Sequence, residues 1–168
     1  ESYHFSRTTA ATLISMCFFG LAVGGPLLGY LSERLNKRKE IMFYCGLLSL
    51  FSITAVIYIP NLPTTILALL LILFGFGTGA FMLGFAIGKE INPIALSATV
   101  IALINTGDAV FGAFTEPLVG KLLDQGWQHT IINHVHYYTP HNYKMSFLLI
   151  PTYLVIATFL TLFIKNKS

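Results

Sequence analysis

From Thr64 to Gly88 the chain reads TTILALLLILFGFGTGAFMLGFAIG, with no Asp, Glu, Lys or Arg anywhere in it. As an α-helix at 1.5 Å per residue this stretch is about 37 Å long, enough to cross a hydrocarbon core of about 30 Å. Apolar and polar residues do not alternate with period 2, so the strand of a membrane barrel is excluded. Turn and charge signals stop the run on both sides: Pro60-Asn61-Leu62-Pro63 before it and Lys89-Glu90-Ile91-Asn92-Pro93 after it. A segment of this kind is a membrane-spanning helix.

Four more segments of similar character flank it: Thr9–Leu31, Ile41–Ile59, Ala95–Leu123 and Tyr143–Ile164. The sequence predicts one all-α integral membrane unit over residues 1–168, with five transmembrane helices near 9–31, 41–59, 64–88, 95–123 and 143–164. Composition agrees, since 55% of the 168 residues are hydrophobic and only 10% are charged, against about 25% charged in an ordinary soluble domain. Intrinsic disorder needs low hydrophobicity and is excluded. Cys17 and Cys45 both lie inside apolar runs, and neither is expected to be bridged or redox-active. The net charge of +3 forms no basic face, so membrane lipid and not nucleic acid is the expected partner.

Orientation follows from the excess of Lys and Arg on the cytoplasmic side. Arg34, Lys37, Arg38, Lys39, Lys89, Lys165 and Lys167 fall on one side and Arg7, Lys121 and Lys144 on the other. The first loop, the Lys89 loop and the C-terminus are therefore expected in the cytoplasm. An odd number of spans, an outside start and a first residue that is Glu1 lead to the expectation that this chain is a piece of something longer, ending naturally at the basic stop after Ile164. Asn166-Lys167-Ser168 fits a glycosylation acceptor but falls on the cytoplasmic side.

The first loop reads Gly29-Tyr30-Leu31-Ser32-Glu33-Arg34-Leu35-Asn36-Lys37-Arg38-Lys39-Glu40-Ile41. Its physics is a tight turn held by cations, with an acid able to pair with them, and Asn36 at a position where a left-handed conformation is tolerated. It resembles the signature of the major facilitator superfamily, Gly-x-Leu-x-Asp-Arg-x-Gly-Arg-Arg/Lys, which joins the second and third helices of each half. Gly29, Leu31, Arg34, Lys37, Arg38 and Ile41 match; Glu33 stands for the Asp and Asn36 for the Gly.

Further on, Ser97-Ala98-Thr99, Asn105-Thr106-Gly107 and Glu116-Pro117-Leu118-Val119-Gly120-Lys121-Leu122-Leu123-Asp124 are similar to the eleventh helix of many bacterial members, with Glu116 where Gln or Gly is more usual. Gly75-Phe76-Gly77-Thr78-Gly79 has the glycine richness of the tenth. The resemblance covers the whole chain and implies helices eight to twelve of a C-terminal bundle in a bacterial inner membrane, with the N-terminal half of the transporter as partner, a small solute as substrate and no cofactor. It also implies that the loop of Gly29, Glu33, Arg34, Lys37 and Arg38 acts as a conformational latch.

A charged side chain deep in a bilayer costs roughly 2.5–3.5 kcal/mol and is normally turned toward a cavity or a partner. Asn105, Asp108, Gly112, Thr115 and Glu116 fall within about 100° of one helical face. The functional reading is that Asp108, with Glu116, Asn105 and Thr115 along the path, binds a proton or substrate; the structural one is that these groups bond to a missing half. Small residues let helices approach in lipid. Gly20, Gly24, Gly25 and Gly29 are therefore read as a packing face, and Gly75, Gly77 and Gly79 as a place to pack or bend. The second and fifth spans, which have no ionisable residue in their middles, are expected to face lipid.

His129, His134, His136 and His141 cluster in the outer loop, but no Cys or acid beyond Asp124 completes a metal site, and none is expected. No phosphate loop, nucleophile elbow or zinc-protease helix is present, so enzymatic activity is not expected. The alternative to transport is a non-transporting membrane subunit that binds a partner through its glycine faces.

Overall fold

The computed structural model describes residues 5–127, 131–132, 135–136 and 138–164. Among the described residues seven α-helices follow one another: α1 Arg7–Leu35, α2 Arg38–Tyr58, α3 Thr64–Thr78, α4 Phe81–Glu90, α5 Ser97–Gln125, α6 Pro140–Ser146 and α7 Leu149–Thr161. α3 and α4 form one span and α6 and α7 another, so that among the described residues five helical segments are long and apolar enough to cross a membrane. A two-residue hairpin pairs Ile131–Ile132 with Val135–His136 outside the helices.

The first turn is much shorter than the charge pattern suggests. Glu33, Arg34 and Leu35 are good helix formers and continue α1, and Arg38 already opens α2. Only Asn36 and Lys37 connect them. Asn36 closes α1 in the left-handed conformation, φ 51°, ψ 34°, with its N–H donated to the Glu33 carbonyl.

Two spans are broken. Between α3 and α4 the backbone tightens, Ala80 donating to the Gly77 carbonyl at 3.1 Å and Leu83 to that of Ala80 at 3.0 Å. These are bonds across three residues in place of four, next to glycines with little helix propensity. Between α6 and α7 the break precedes Pro151, which has no N–H to donate and whose ring crowds the carbonyl four residues back. Ile150 donates to that Phe147 carbonyl instead, at 3.1 Å.

The helices pack around α1, α2 and α3. α1 turns Leu13, Gly20, Gly24, Leu28 and Ser32 inward. A Cβ on Gly20 would collide with the Ile72 carbonyl, one on Gly24 with that of Phe76, and one on Gly75 with that of Cys17, so α1 and α3 meet backbone to backbone. Across α3, a Cβ on Gly77 would lie 2.7 Å from the Cys45 carbonyl oxygen and against the Ser49 hydroxyl of α2. Leu28, Cys45, Ala80 and Leu83 close the apolar core below the break, with Ile41, Met42 and Phe76 around them.

The second and fifth spans, expected to face lipid, each pack one face inward and leave large apolar side chains such as Phe51, Val155 and Phe159 exposed on another. α2 lies between α3 and α7 and buries Cys45, Ser49, Ser52 and Ile53; α7 buries Pro151, Thr158 and Thr161. Small side chains, not charges, decided this, because Gly46 leaves room for the Thr158 side chain and Ser49 for the α3 backbone, where its hydroxyl donates to the Phe74 carbonyl at 3.2 Å. The helix left outside the core is α5, in which no residue is buried.

Candidate functional site

α5 is held to the bundle at few places. Near its start, a Cβ on Gly88 of α4 would meet the side chains of Val100 and Ile104. Midway, the rings of Phe111 and Tyr153 sit edge to face, centroids 4.9 Å apart. At its far end Asn142 Nδ2 donates to the Gly126 carbonyl at 2.6 Å and the Tyr138 hydroxyl donates to Asp124 Oδ1 at 2.5 Å. Tyr138 lies outside the membrane-spanning segments. Its hydrogen bond to the Asp124 carboxylate, reinforced by that negative charge, pushes its pKa above the ordinary tyrosine value.

Between these attachments runs the polar stripe. Asn105, Asp108 and Glu116 are exposed, and Gly112 and Thr115 partly so. The Thr115 hydroxyl donates back to the Phe111 carbonyl at 2.7 Å, within its own helix. Asp108 and Glu116 form no ion pair among the described residues. A Cβ on Gly107, Gly112 or Gly120 would meet nothing within 4 Å. The stripe therefore offers two carboxylates, an amide, a hydroxyl and the open Gly112 to whatever covers α5, on a helix in which no residue is buried.

At the Arg38 end a second group converges. Arg38, whose side chain is 18% exposed, places Nη2 2.8 Å from Glu90 Oε1 at the end of α4 and 3.8 Å from Glu33 Oε1. Ser32, fully enclosed, donates to the Gly29 carbonyl at 2.8 Å, and Asn92 Nδ2 donates to that of Gly88 at 2.8 Å. Arg34 and Lys37 are exposed and join no ion pair among the described residues. Of the latch residues, Glu33 and Arg38 are thus brought together, Gly29 supports Ser32, and Arg34 and Lys37 face outward.

The family model for the Major Facilitator Superfamily matches residues 1–167. The chain belongs to this superfamily of membrane transporters. Comparison with curated proteins and with solved structures returned no match. As a superfamily member, the protein has the all-α, multi-pass membrane architecture of its five spans.

Among the packing glycines, Gly20, Gly24, Gly75 and Gly77 sit at backbone contacts. Gly79 would bring a Cβ to 2.7 Å from the Gly25 nitrogen, Gly25 itself faces the Met82 side chain at 3.6 Å, and Gly29 faces open space. Sequence reasoning passed over Glu90, the strongest partner of Arg38. The signal was present, since Glu90 is an acid at the end of a span on the same side as the basic turn. His129 and His134 lie outside the described residues. Among the described ones no three His, Cys, Asp or Glu side chains are grouped to hold a metal ion.

Proposed function

We propose that this protein is a secondary transporter of a small solute and that the chain forms its C-terminal bundle, equivalent to helices eight to twelve, working by alternating access against an N-terminal half. The observation that carries the reading is α5: a helix as long as the membrane is thick, buried nowhere, with Asn105, Asp108, Thr115 and Glu116 on one face. A carboxylate facing lipid is costly, and enclosure by a second bundle around a water-filled path removes that cost. In this reading Asp108 is the proton or substrate site near the middle of the path, and Glu116, about two turns further out, is its relay. Coupling to H⁺ follows from the carboxylates, which exchange a proton where a neutral stripe would not.

The Arg38 end would face the cytoplasm, since the cations gather there. Arg38 bridges the turn before α2 to the last residue of α4. α4 is separated from α3 by the tightened turn at Gly79 and Ala80, so the bridge decides whether α4 stays against α2. That is the latch: Glu33, Arg38 and Glu90 closed in one state and parted in the other.

The test uses the full-length protein in proteoliposomes holding a pH-sensitive dye, challenged with a panel of small solutes. Solute-induced proton entry is expected in the wild type and lost in Asp108→Asn, with Glu116→Gln slowed but active. Unchanged proton entry in Asp108→Asn removes that residue from the coupling. Absence of any solute flux in the wild type favours a non-transporting, partner-binding bundle.

A further inference from the structure

We propose that α2 and the last span are fastened into one rigid rib by two lysines, each capping the other helix. The two helices run antiparallel, so the start of each lies beside the end of the other. Lys39, in the first turn of α2, places Nζ 2.6 Å from the carbonyl oxygen of Leu162, where α7 ends. At the opposite end Lys144 of α6 places Nζ 3.3 Å from the carbonyl oxygen of Tyr58, the last residue of α2, and the Tyr58 hydroxyl donates back to the Lys144 carbonyl at 3.2 Å. The final carbonyls of a helix have no partner within it and carry the negative end of its dipole, so a cation there satisfies both needs.

Between the caps the helices meet closely at Gly46. A Cβ on Gly46 would come within 3.3 Å of Thr158 Cβ and closer to its hydroxyl, so the α2 backbone rides directly on Thr158. The arrangement also gives the two lysines a second role. Both were counted among the charges that orient the chain, and Lys144 stands on the side that should be poor in cations; bonded to the end of α2, it is held by the fold itself. Because both ends are tied, α2 and the last span cannot splay or slide past one another and move as one unit. None of this depends on what the protein moves, or on whether it moves anything.

The test measures distance distributions in the full-length protein in lipid nanodiscs, by electron paramagnetic resonance between spin-label amino acids. One pair replaces Tyr44 and Phe159 at the Lys39 end, the other Ile59 and Leu148 at the Lys144 end; all four positions are exposed. Narrow distributions are expected for both pairs. Lys39→Met should at least double the width at its own end only, Lys144→Met at the other end only, and Lys→Arg at either position should restore the narrow form. A lysine whose loss leaves its own end as narrow as wild type, or broadens both ends alike, overturns the proposal. Should the methionine variants fail to fold, a Gly46→Cys/Thr158→Cys disulfide can hold the rib. At 3.3 Å those Cβ atoms lie just short of the usual range of about 3.5–4.5 Å, so a small outward shift suffices. In that background Lys144→Met must still broaden the far end.

Discussion

Replacing Gly75 by alanine gives the sharpest test of the α1–α3 contact. The added methyl would collide with the carbonyl oxygen of Cys17, lie 2.8 Å from its carbonyl carbon and lie 3.0 Å from the Leu21 nitrogen. All three are backbone atoms, so no side chain can turn away and the helices must part by the order of an ångström. Overpacking of this sort costs about 1–3 kcal/mol, while Gly→Ala in a helix by itself returns at most about 1 kcal/mol. The net expectation is a loss of about 1–2 kcal/mol. Gly84 supplies the internal standard, because a Cβ there meets nothing within 4 Å. Gly84→Ala should be neutral or stabilising by up to about 1 kcal/mol. The assay is reversible unfolding in mixed micelles followed by circular dichroism, the two variants compared with wild type in the same lipid. If Gly75→Ala proves as stable as Gly84→Ala, α1 and α3 do not meet backbone to backbone and the packing described above is wrong.

Arg38→Ala and Glu90→Gln should each loosen α4, with a coupling between them on the order of 1 kcal/mol in a double-mutant cycle, as expected for a partly exposed pair; Glu33→Gln, at 3.8 Å and largely exposed, should show little coupling to Arg38. Hydrogen exchange across Phe81–Glu90 should rise in the first two variants and not in the third. Tyr138 holds its proton above the ordinary tyrosine range because of Asp124, so its contribution to stability is complete below about pH 10 and is lost as pH climbs through the raised value. In an absorbance titration at high pH the raised transition of Tyr138 should vanish in Tyr138→Phe and return to the ordinary range in Asp124→Asn. Asn142→Ala removes the bond to the Gly126 carbonyl from a side chain that is almost fully buried. It should cost about 1–2 kcal/mol and speed hydrogen exchange at the end of α5.

The spans were legible because their determinant is local: a run such as Thr64–Gly88 cannot be anything but membrane helix. Their ends were less so, because Glu33 and Arg34 carry charge, which signals a loop, and high helix propensity, which signals continuation, and the second prevailed where the helix leaves the hydrocarbon. The glycines of α1 and α3 were legible as small residues, but which of them touch depends on the rotation of one helix about another. Hence Gly20 and Gly24 meet α3 while Gly29, one residue past the row that continues to Leu28, faces open space. Ser49 and Ser52 gave no warning that α2 would be central. In lipid the hydrophobicity of a helix does not distinguish its buried face, so a serine that lets a backbone approach is more telling than a phenylalanine.

The same reasoning bears on α5. A bundle in water hides its apolar surface, and an exposed helix would be read as polar; in lipid the sorting reverses, and the helix with nothing to bury is the one whose polar groups need another partner. Leu103 and Phe114, each more than 70% exposed, suit lipid or a protein surface equally, but Asp108 and Glu116 suit only water, a cation or a hydrogen-bond donor. Their placement on one face, with no ion pair among the described residues, therefore supports the proposed second bundle more firmly than the glycines do. It also explains why α5 is fixed mainly at its ends, by Val100 and Ile104 against Gly88 and by Asp124 and Gly126 against Tyr138 and Asn142. Ends that are tied and a middle held through Phe111 and Tyr153 would, on the proposed reading, let the stripe meet a second bundle without disturbing the core built on α1, α2 and α3.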